Sequence, residues 1–261
     1  MSPPLISYRD VSKTFDGGRV LAVDNVSLEV AEGEFLAIVG GSGSGKTTLL
    51  RLANRLIEAD SGTITVEGED VRNVDPILLR RRIGYVFQSG GLFPHLTVSG
   101  NIGITPKLTG TPPAEIATRV EELLDLVRLD RAQYRDRLPH ELSGGQRQRV
   151  GVARALAANP RIVLMDEPFG ALDPLTRDAL GEDFRELHRK LGLTTVMITH
   201  DMTEAILLAD RIAVMQGGKL LAQGTSSTLS ESDDAYVGEL LRTPRRQAER
   251  LSTLLPRDGA A

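Results

Sequence analysis

The stretch EFLAIVGGSGSGKTTLLRLANRL, Glu34 to Leu56, decides how the rest of the chain is read. Phe35 to Val39 form a continuous apolar run ended by glycines, which suits a parallel strand covered on both faces. Gly40 to Thr47 then match the pattern G-x-x-x-x-G-K-[ST], and KTTLLRLANRL reads as a helix. Glycines let successive N–H groups turn inward around phosphate oxygens, while the helix aims its positive N-terminus at the same charge. In such a loop Lys46 reaches the β- and γ-phosphates and Thr47 ligates Mg2+. Gly40, Gly41, Ser42, Gly43, Ser44, Gly45 and Thr48 complete the cradle. The alternative is a glycine-rich turn that matches by chance, but the flanking strand and helix are the context the motif requires.

A second element follows far downstream. IVLMDE, Ile162 to Glu167, is an apolar strand that delivers two carboxylates to a sheet's carboxyl edge, where nucleotides bind in open α/β folds. Asp166 is placed to hold Mg2+ and Glu167 to orient and polarise an attacking water, a division that suits phosphoryl transfer. Taken alone, the same pair before Pro168 could simply start a helix.

Around these motifs LISYRDV and NVSLEV alternate as half-buried antiparallel strands do, and RRIGYVFQ gives a further strand. GGLFPHLTVSGN reads as a loop. Ile116, Val120, Leu123, Leu124 and Val127 recur at helical spacing. From Arg161 to Gln216 strands and helices alternate, which implies a parallel α/β sheet. The end, TPRRQAERLSTLLPRDGAA, is basic with Pro and Gly and reads as a loosely held tail over residues 242–261.

Composition narrows the function classes. The 261 residues carry a net charge of −4, so no basic field points to nucleic acid. Cysteine is absent, which excludes disulfides and thiolate metal sites, and the four histidines are scattered. The start MSPPLISYRD lacks a signal-peptide core, and no apolar stretch is long enough to span a bilayer. A cytoplasmic protein is expected, with any membrane role supplied by a partner.

LSGGQ, Leu142 to Gln146, precedes RQRVGVARALAA and sets a hydroxyl and two glycines at a second helix N-terminus. One nucleotide does not need two cradles from one chain. Two chains packed head-to-tail, each offering its second cradle to the other's nucleotide, would use both. With this the sequence resembles the ATP-binding subunits of ABC transporters over nearly its whole length. The parts occur in the family's order: GGSGSGKTT, Gln88 in YVFQ, LSGGQ, IVLMDE, GALD (Gly170 to Asp173) and His200 in ITHD.

The resemblance implies an α/β P-loop NTPase (RecA-like) parallel-sheet core over residues 5–241, with an N-terminal antiparallel β subdomain and an inserted helical subdomain at about 92–142. It implies ATP and Mg2+ as cofactors, with Gln88 contacting the metal or the water and His200 the γ-phosphate. Ser143, Gly144, Gly145 and Gln146 would bind across a dimer, and Asp173 would sit at its seam. Phe15 lies where the family stacks an aromatic on adenine, with Tyr8 as rival. Gly41 stands where the family commonly has Pro, and Gly170 where Ser is common; both differences are expected to leave the chemistry unaltered. The implied partners are a second copy, transmembrane permease subunits meeting GLFPHLTVSGNI and, indirectly, a solute-binding protein, at the cytoplasmic face of the inner membrane. Gln88 as a polar strand end, His200 as a structural histidine and GLFPHLTVSGNI as a plain surface loop are the bland alternatives.

Asn54 to Val71, Arg80 to Ile102 and Met165 to Arg177 look like the importer ATPases for glycine betaine, choline and related osmoprotectants. Importers of polyamines, sulfate or sugars share much of this wording. A soluble ABC ATPase of DNA repair or translation would carry a long coiled-coil insertion or two ATPase units, and a GTPase switch an N-K-x-D-type element; neither is present in the sequence.

Overall fold

The computed structural model describes residues 3–88, 90–170 and 172–254. From the N-terminus the chain runs through β1 (Ile6–Phe15), β2 (Val20–Val30), β3 (Phe35–Val39), α1 (Lys46–Ala53), β4 (Ser61–Val66), β5 (Glu69–Asp70), α2 (Pro76–Arg82) and β6 (Ile83–Val86). It continues as α3 (Val98–Leu108), α4 (Pro113–Leu126), α5 (Arg131–Tyr134) and α6 (Gly144–Leu156). The remainder is β7 (Ile162–Asp166), α7 (Pro174–Leu191), β8 (Thr194–Thr199), α8 (Met202–Leu208), β9 (Arg211–Gln216), β10 (Lys219–Gly224), α9 (Ser226–Ser230) and α10 (Ala235–Leu254).

Two sheets result. The larger has the order β10-β9-β3-β8-β7-β6, parallel throughout except for β10, which runs antiparallel to β9 at one edge. Every residue of β3, β7 and β8 is buried, which is why Phe35–Val39 and Ile162–Met165 read as unbroken apolar runs. Their alternate side chains enter two different cores. Phe35, Ala37 and Val39 pack with residues of α3, α4, α6, α7 and α8, whereas Leu36 and Ile38 pack with Leu49, Leu50 and Leu52 of α1. The smaller sheet, β2-β1-β4-β5, is antiparallel, and its Ile6, Tyr8, Val26 and Ile64 close the α1 side.

The helical insertion holds a correction. Part of the segment read as a loop is α3, starting at Val98, with Thr97 as its cap accepting from the Gly100 N–H. Its sequence, VSGNIGITPKL, has two glycines and a proline and reads poorly as a helix. Packing overrides propensity here: a Cβ on Gly103 would stand 2.7 Å from Ile116 Cγ2 of α4, so the glycine permits close helix contact. Buried Asn101 ties the preceding turn down, donating to the carbonyls of Phe93, Leu96 and Thr97 and accepting from the Phe93 N–H. The stretch read as a loose tail is likewise helical as far as Leu254, because α10 starts at residue 235 on a turn capped by Asp234 and anchored by buried Val237, and continues through Pro244. Residues 255–261 of that tail lie outside the described residues. Among the described residues no helix is long and apolar enough to cross a membrane.

Candidate active site

β3 ends at Val39 and α1 begins at Lys46, so Gly40 to Gly45 form the whole connection at the carboxyl edge of the sheet. The loop rests on β2: a Cβ on Gly45 would stand 2.1 Å from the Ala22 carbonyl oxygen, and Gly45 has φ 99°. Only glycine meets both demands. Gly41, Ser42 and Gly43 lie exposed at the loop's tip, while Ser44 and Lys46 are buried and Thr47 and Thr48 half-buried. Lys46 folds back over the loop, donating from Nζ to the carbonyls of Gly40 at 2.7 Å and Gly41 at 2.9 Å. Burial pulls its pKa below the usual lysine value, while the charges of Glu167 and Asp166 oppose that shift.

Asp166 closes β7, and its Oδ1 accepts from the Thr47 hydroxyl at 3.1 Å. Burial is the main influence on this carboxyl and raises its pKa, with the Thr47 bond and Arg51 pulling the other way. Arg51 stands 3.8 Å from Oδ2. A hydroxyl and a desolvated carboxylate this close form a hard oxygen donor pair, the chemistry that Mg2+ selects when phosphate and water supply its other ligands. Among the described residues no three His, Cys, Asp or Glu side chains cluster as a metal site of their own.

Glu167 has φ 47°, in the left-handed region that non-glycine residues rarely enter. Had β7 continued, Glu167 would point to the face opposite Asp166. The left-handed residue breaks that alternation, and its N–H donates to the Ile198 carbonyl of β8 at 3.0 Å. The Glu167 carboxylate meets Gln88, just beyond β6, whose Nε2 lies 3.0 Å from Oε2. The same oxygen is 3.4 Å from Nδ1 of His200, just beyond β8. Three parallel neighbouring strands thus bring Gln88, Glu167 and His200 to one place, in keeping with ligand sites at the carboxyl ends of open α/β sheets.

The second cradle lies elsewhere in the chain. Ser143 caps α6 by a reciprocal box: its Oγ accepts from the Gln146 N–H, and the Gln146 side chain accepts from the Ser143 N–H. Gln146 also donates to the Tyr134 hydroxyl, so its side chain serves both the cap and α5, while Gly144 and Gly145 are half-buried. Among the described residues no hydrogen bond or ion pair links Ser143, Gly144, Gly145 or Gln146 to residues 40–48. Asp173 caps α7, accepting from the Thr176 N–H at 3.0 Å. Ala171, between it and Gly170, lies outside the described residues.

Of the two aromatic candidates, Tyr8 is buried and donates its hydroxyl to the Leu49 carbonyl. Phe15 ends β1 with 39% of its surface exposed. Two residues at the site had not been singled out. Arg51 was legible, because it stands one helical turn beyond Thr47 on the same face. Tyr236 of α10, whose hydroxyl accepts from the Gly41 N–H at 2.9 Å, was not; 195 residues separate the pair.

Comparison with known proteins adds a lineage to this geometry. The chain is 50% identical over 242 residues to the choline transport ATP-binding protein OpuBA of Bacillus subtilis (strain 168), covering 92% of this chain and 63% of that one. It is 49% identical over 225 residues to the glycine betaine uptake system ATP-binding protein YehX of Escherichia coli (strain K12), covering 86% of this chain and 72% of that one. The chain therefore spans 63% of the length of the first of these relatives. Among solved structures, the dimeric post-hydrolysis state of the ATP-binding cassette MJ0796 bound to ADP and Pi superposes with a TM-score of 0.79 at 33% identity, over 84% of this chain and 98% of that one. A sequence profile of the family described as ABC transporter matches residues 23–170, from β2 to the residue before Ala171. With that profile spanning the phosphate loop, LSGGQ and both carboxylates, and 50% of 242 aligned residues identical to those of a transport ATP-binding protein, the chain belongs to the ABC transporter family.

Proposed function

We propose that this chain is the ATP-binding subunit of an importer, hydrolysing ATP in a head-to-tail dimer to drive solute uptake. The observation that carries the reading is the meeting of Gln88, Glu167 and His200 beside a phosphate loop whose Thr47 already bonds Asp166. Lys46 binds the β- and γ-phosphates, and Thr47 and Asp166, with Gln88 beside them, would hold Mg2+, which neutralises phosphate charge. Glu167 orients and polarises the water, held in place by Gln88 and His200. Ser143, Gly144 and Gly145 bind the partner's nucleotide, and the dimeric state of the MJ0796 cassette supports that pairing.

A docking surface for permease subunits is supported by the cleft between the sheet and the helical insertion. Phe87, Phe93 and Leu108 are exposed there beside Arg80 and Arg81. Arg154 braces its wall, donating to the carbonyls of Gly90 and Gly91. The chain then sits peripherally at the cytoplasmic face of the membrane. The relatives' names concern choline and glycine betaine, so the solute proposed is a quaternary ammonium osmoprotectant. A strain lacking this gene should lose uptake of radiolabelled glycine betaine or choline at high osmolarity. Normal uptake of both, with loss of a polyamine, sulfate or a sugar, moves the chain to another importer. ATP hydrolysis by the purified chain that survives Lys46→Ala overturns the ATPase reading itself.

A further inference from the structure

The peptide joining Gly40 to Gly41 is held from both sides. Its carbonyl accepts from the Lys46 ammonium at 2.7 Å, and its N–H donates to the Tyr236 hydroxyl at 2.9 Å. Lys46 also donates to the carbonyl of Gly41, in the next peptide, at 2.9 Å, so the Gly40–Gly41 peptide carries one of the three bonds the ammonium makes to its own loop and adjoins the second. An ammonium has three donors. Two anchored on carbonyls at the start of the loop set the direction in which the charge faces phosphate.

Tyr236 is well placed to hold that peptide. It sits in the first turn of α10, where Asp234 accepts from the N–H groups of Tyr236 and Val237 at 2.9 and 3.0 Å. Val237 is fully buried, and the Tyr236 ring packs against the same core that lies under β3. The hydroxyl is therefore delivered by a fixed helix end, on a side chain with only two torsions, to an exposed part of the loop. Gly41 supplies the other half. A proline here would have no N–H to give, so the glycine at this position creates the donor that Tyr236 meets.

We propose that Tyr236 is a positioning residue of the nucleotide site, acting through the Gly40–Gly41 peptide to pre-orient the Lys46 ammonium. The inference rests on the ATP-site reading above. A loop already ordered before nucleotide arrives spends less of the binding energy on ordering, so the hydroxyl tightens ATP binding. Linkage is reciprocal: nucleotide in the loop strengthens the docking of the first turn of α10 by the same factor.

The test is the Kd of the full chain for the non-hydrolysable imido analogue of ATP with Mg2+, measured by calorimetry, with melting temperature and steady-state kinetics alongside. Loss of one neutral hydrogen bond predicts that Tyr236→Phe raises Kd about fivefold. KM for ATP should rise more than kcat falls, and the melting temperature should stay near that of the parent. Gly41→Pro removes the donor without touching α10 and should raise Kd by a similar factor. Gly41→Ala, which keeps the N–H and whose Cβ would stand 3.5 Å from the Tyr236 hydroxyl, should bind severalfold more tightly than Gly41→Pro. In the Gly41→Pro chain, Tyr236→Phe should add nothing further, as two changes breaking one contact do. Parent-like Kd in Tyr236→Phe, equal binding by Gly41→Ala and Gly41→Pro, or effects that multiply in the double variant would each overturn the role. A Lys46→Ala chain that binds the analogue like the parent instead brings down the nucleotide site itself, whatever Tyr236 does.

Discussion

Gln88 donates its side-chain N–H to Oε2 of Glu167 at 3.0 Å, a contact between residues 79 apart in sequence. The amide N–H aimed at this oxygen holds the Glu167 side chain in one orientation. A Glu167→Gln chain keeps the shape and loses the proposed base. ATP binding should persist while hydrolysis falls about 100-fold or more, the range general-base groups supply. ATP-bound dimer should accumulate on size-exclusion chromatography with Mg2+. A monomeric variant that still turns ATP over at the parent rate contradicts the role.

Phe15 and Tyr8 should separate cleanly. Base–aromatic stacking contributes about 1–3 kcal/mol per base, so Phe15→Ala should weaken ATP binding about tenfold with little change in stability. Tyr8→Phe removes a buried hydrogen bond to Leu49 and should cost about 1 kcal/mol of stability, leaving ATP affinity alone. Titration and urea unfolding of both variants measure the two effects. The opposite pattern would transfer the stack to Tyr8.

Among the described residues Ser143 and the phosphate loop share no bond, and the proposed head-to-tail dimer would give Ser143 a nucleotide to meet. The chain has no cysteine, so a Ser42→Cys, Ser143→Cys double variant carries only the probe pair. Oxidation with ATP and Mg2+ should yield an interchain dimer on a denaturing gel, and oxidation without nucleotide much less. A bond formed only within one chain would rule out the composite site.

His188 gives the fold a sensitivity to acid. Its Nδ1 lies 3.0 Å from the Thr195 hydroxyl, and its ring lies 5.1 Å from Phe35. Burial lowers its pKa, and Arg185 and Arg189 add to that, while Asp210 and a backbone bond at Gly33 oppose it. Below 6.5, the ordinary histidine value, the unfolded chain takes up the proton more readily than the folded one. The stabilisation is therefore complete above that pH and is lost as pH falls through the folded value. Urea midpoints at neutral and mildly acid pH should diverge in the parent and converge in His188→Gln. An equal slope in both places the acid sensitivity elsewhere.

What could be read without coordinates followed from local chemistry. Phe35 to Val39 with GKT behind them pointed to a strand, a phosphate loop and a helix, and Asp166 and Glu167 after an apolar strand pointed to the same sheet edge. Helix α3 escaped because its glycines were read as turn signals, when Gly103 is small for the sake of Ile116. The helical start of the presumed tail escaped because its anchors, Asp234 and Val237, precede the stretch that looked disordered. Gly41 was read as a substitution without consequence. Its N–H meets a partner that no local pattern reveals, because the contact exists only after the C-terminal helix has docked.

The left-handed backbone at Glu167 has a bearing on selection. A non-glycine residue held at φ 47° costs the fold on the order of 1 kcal/mol, and glycine at that position would relieve it. A screen of random variants for heat tolerance alone would therefore enrich Gly at this position and recover sturdier proteins with no turnover. On the role proposed for Glu167, heat tolerance and turnover would pull residue 167 in opposite directions.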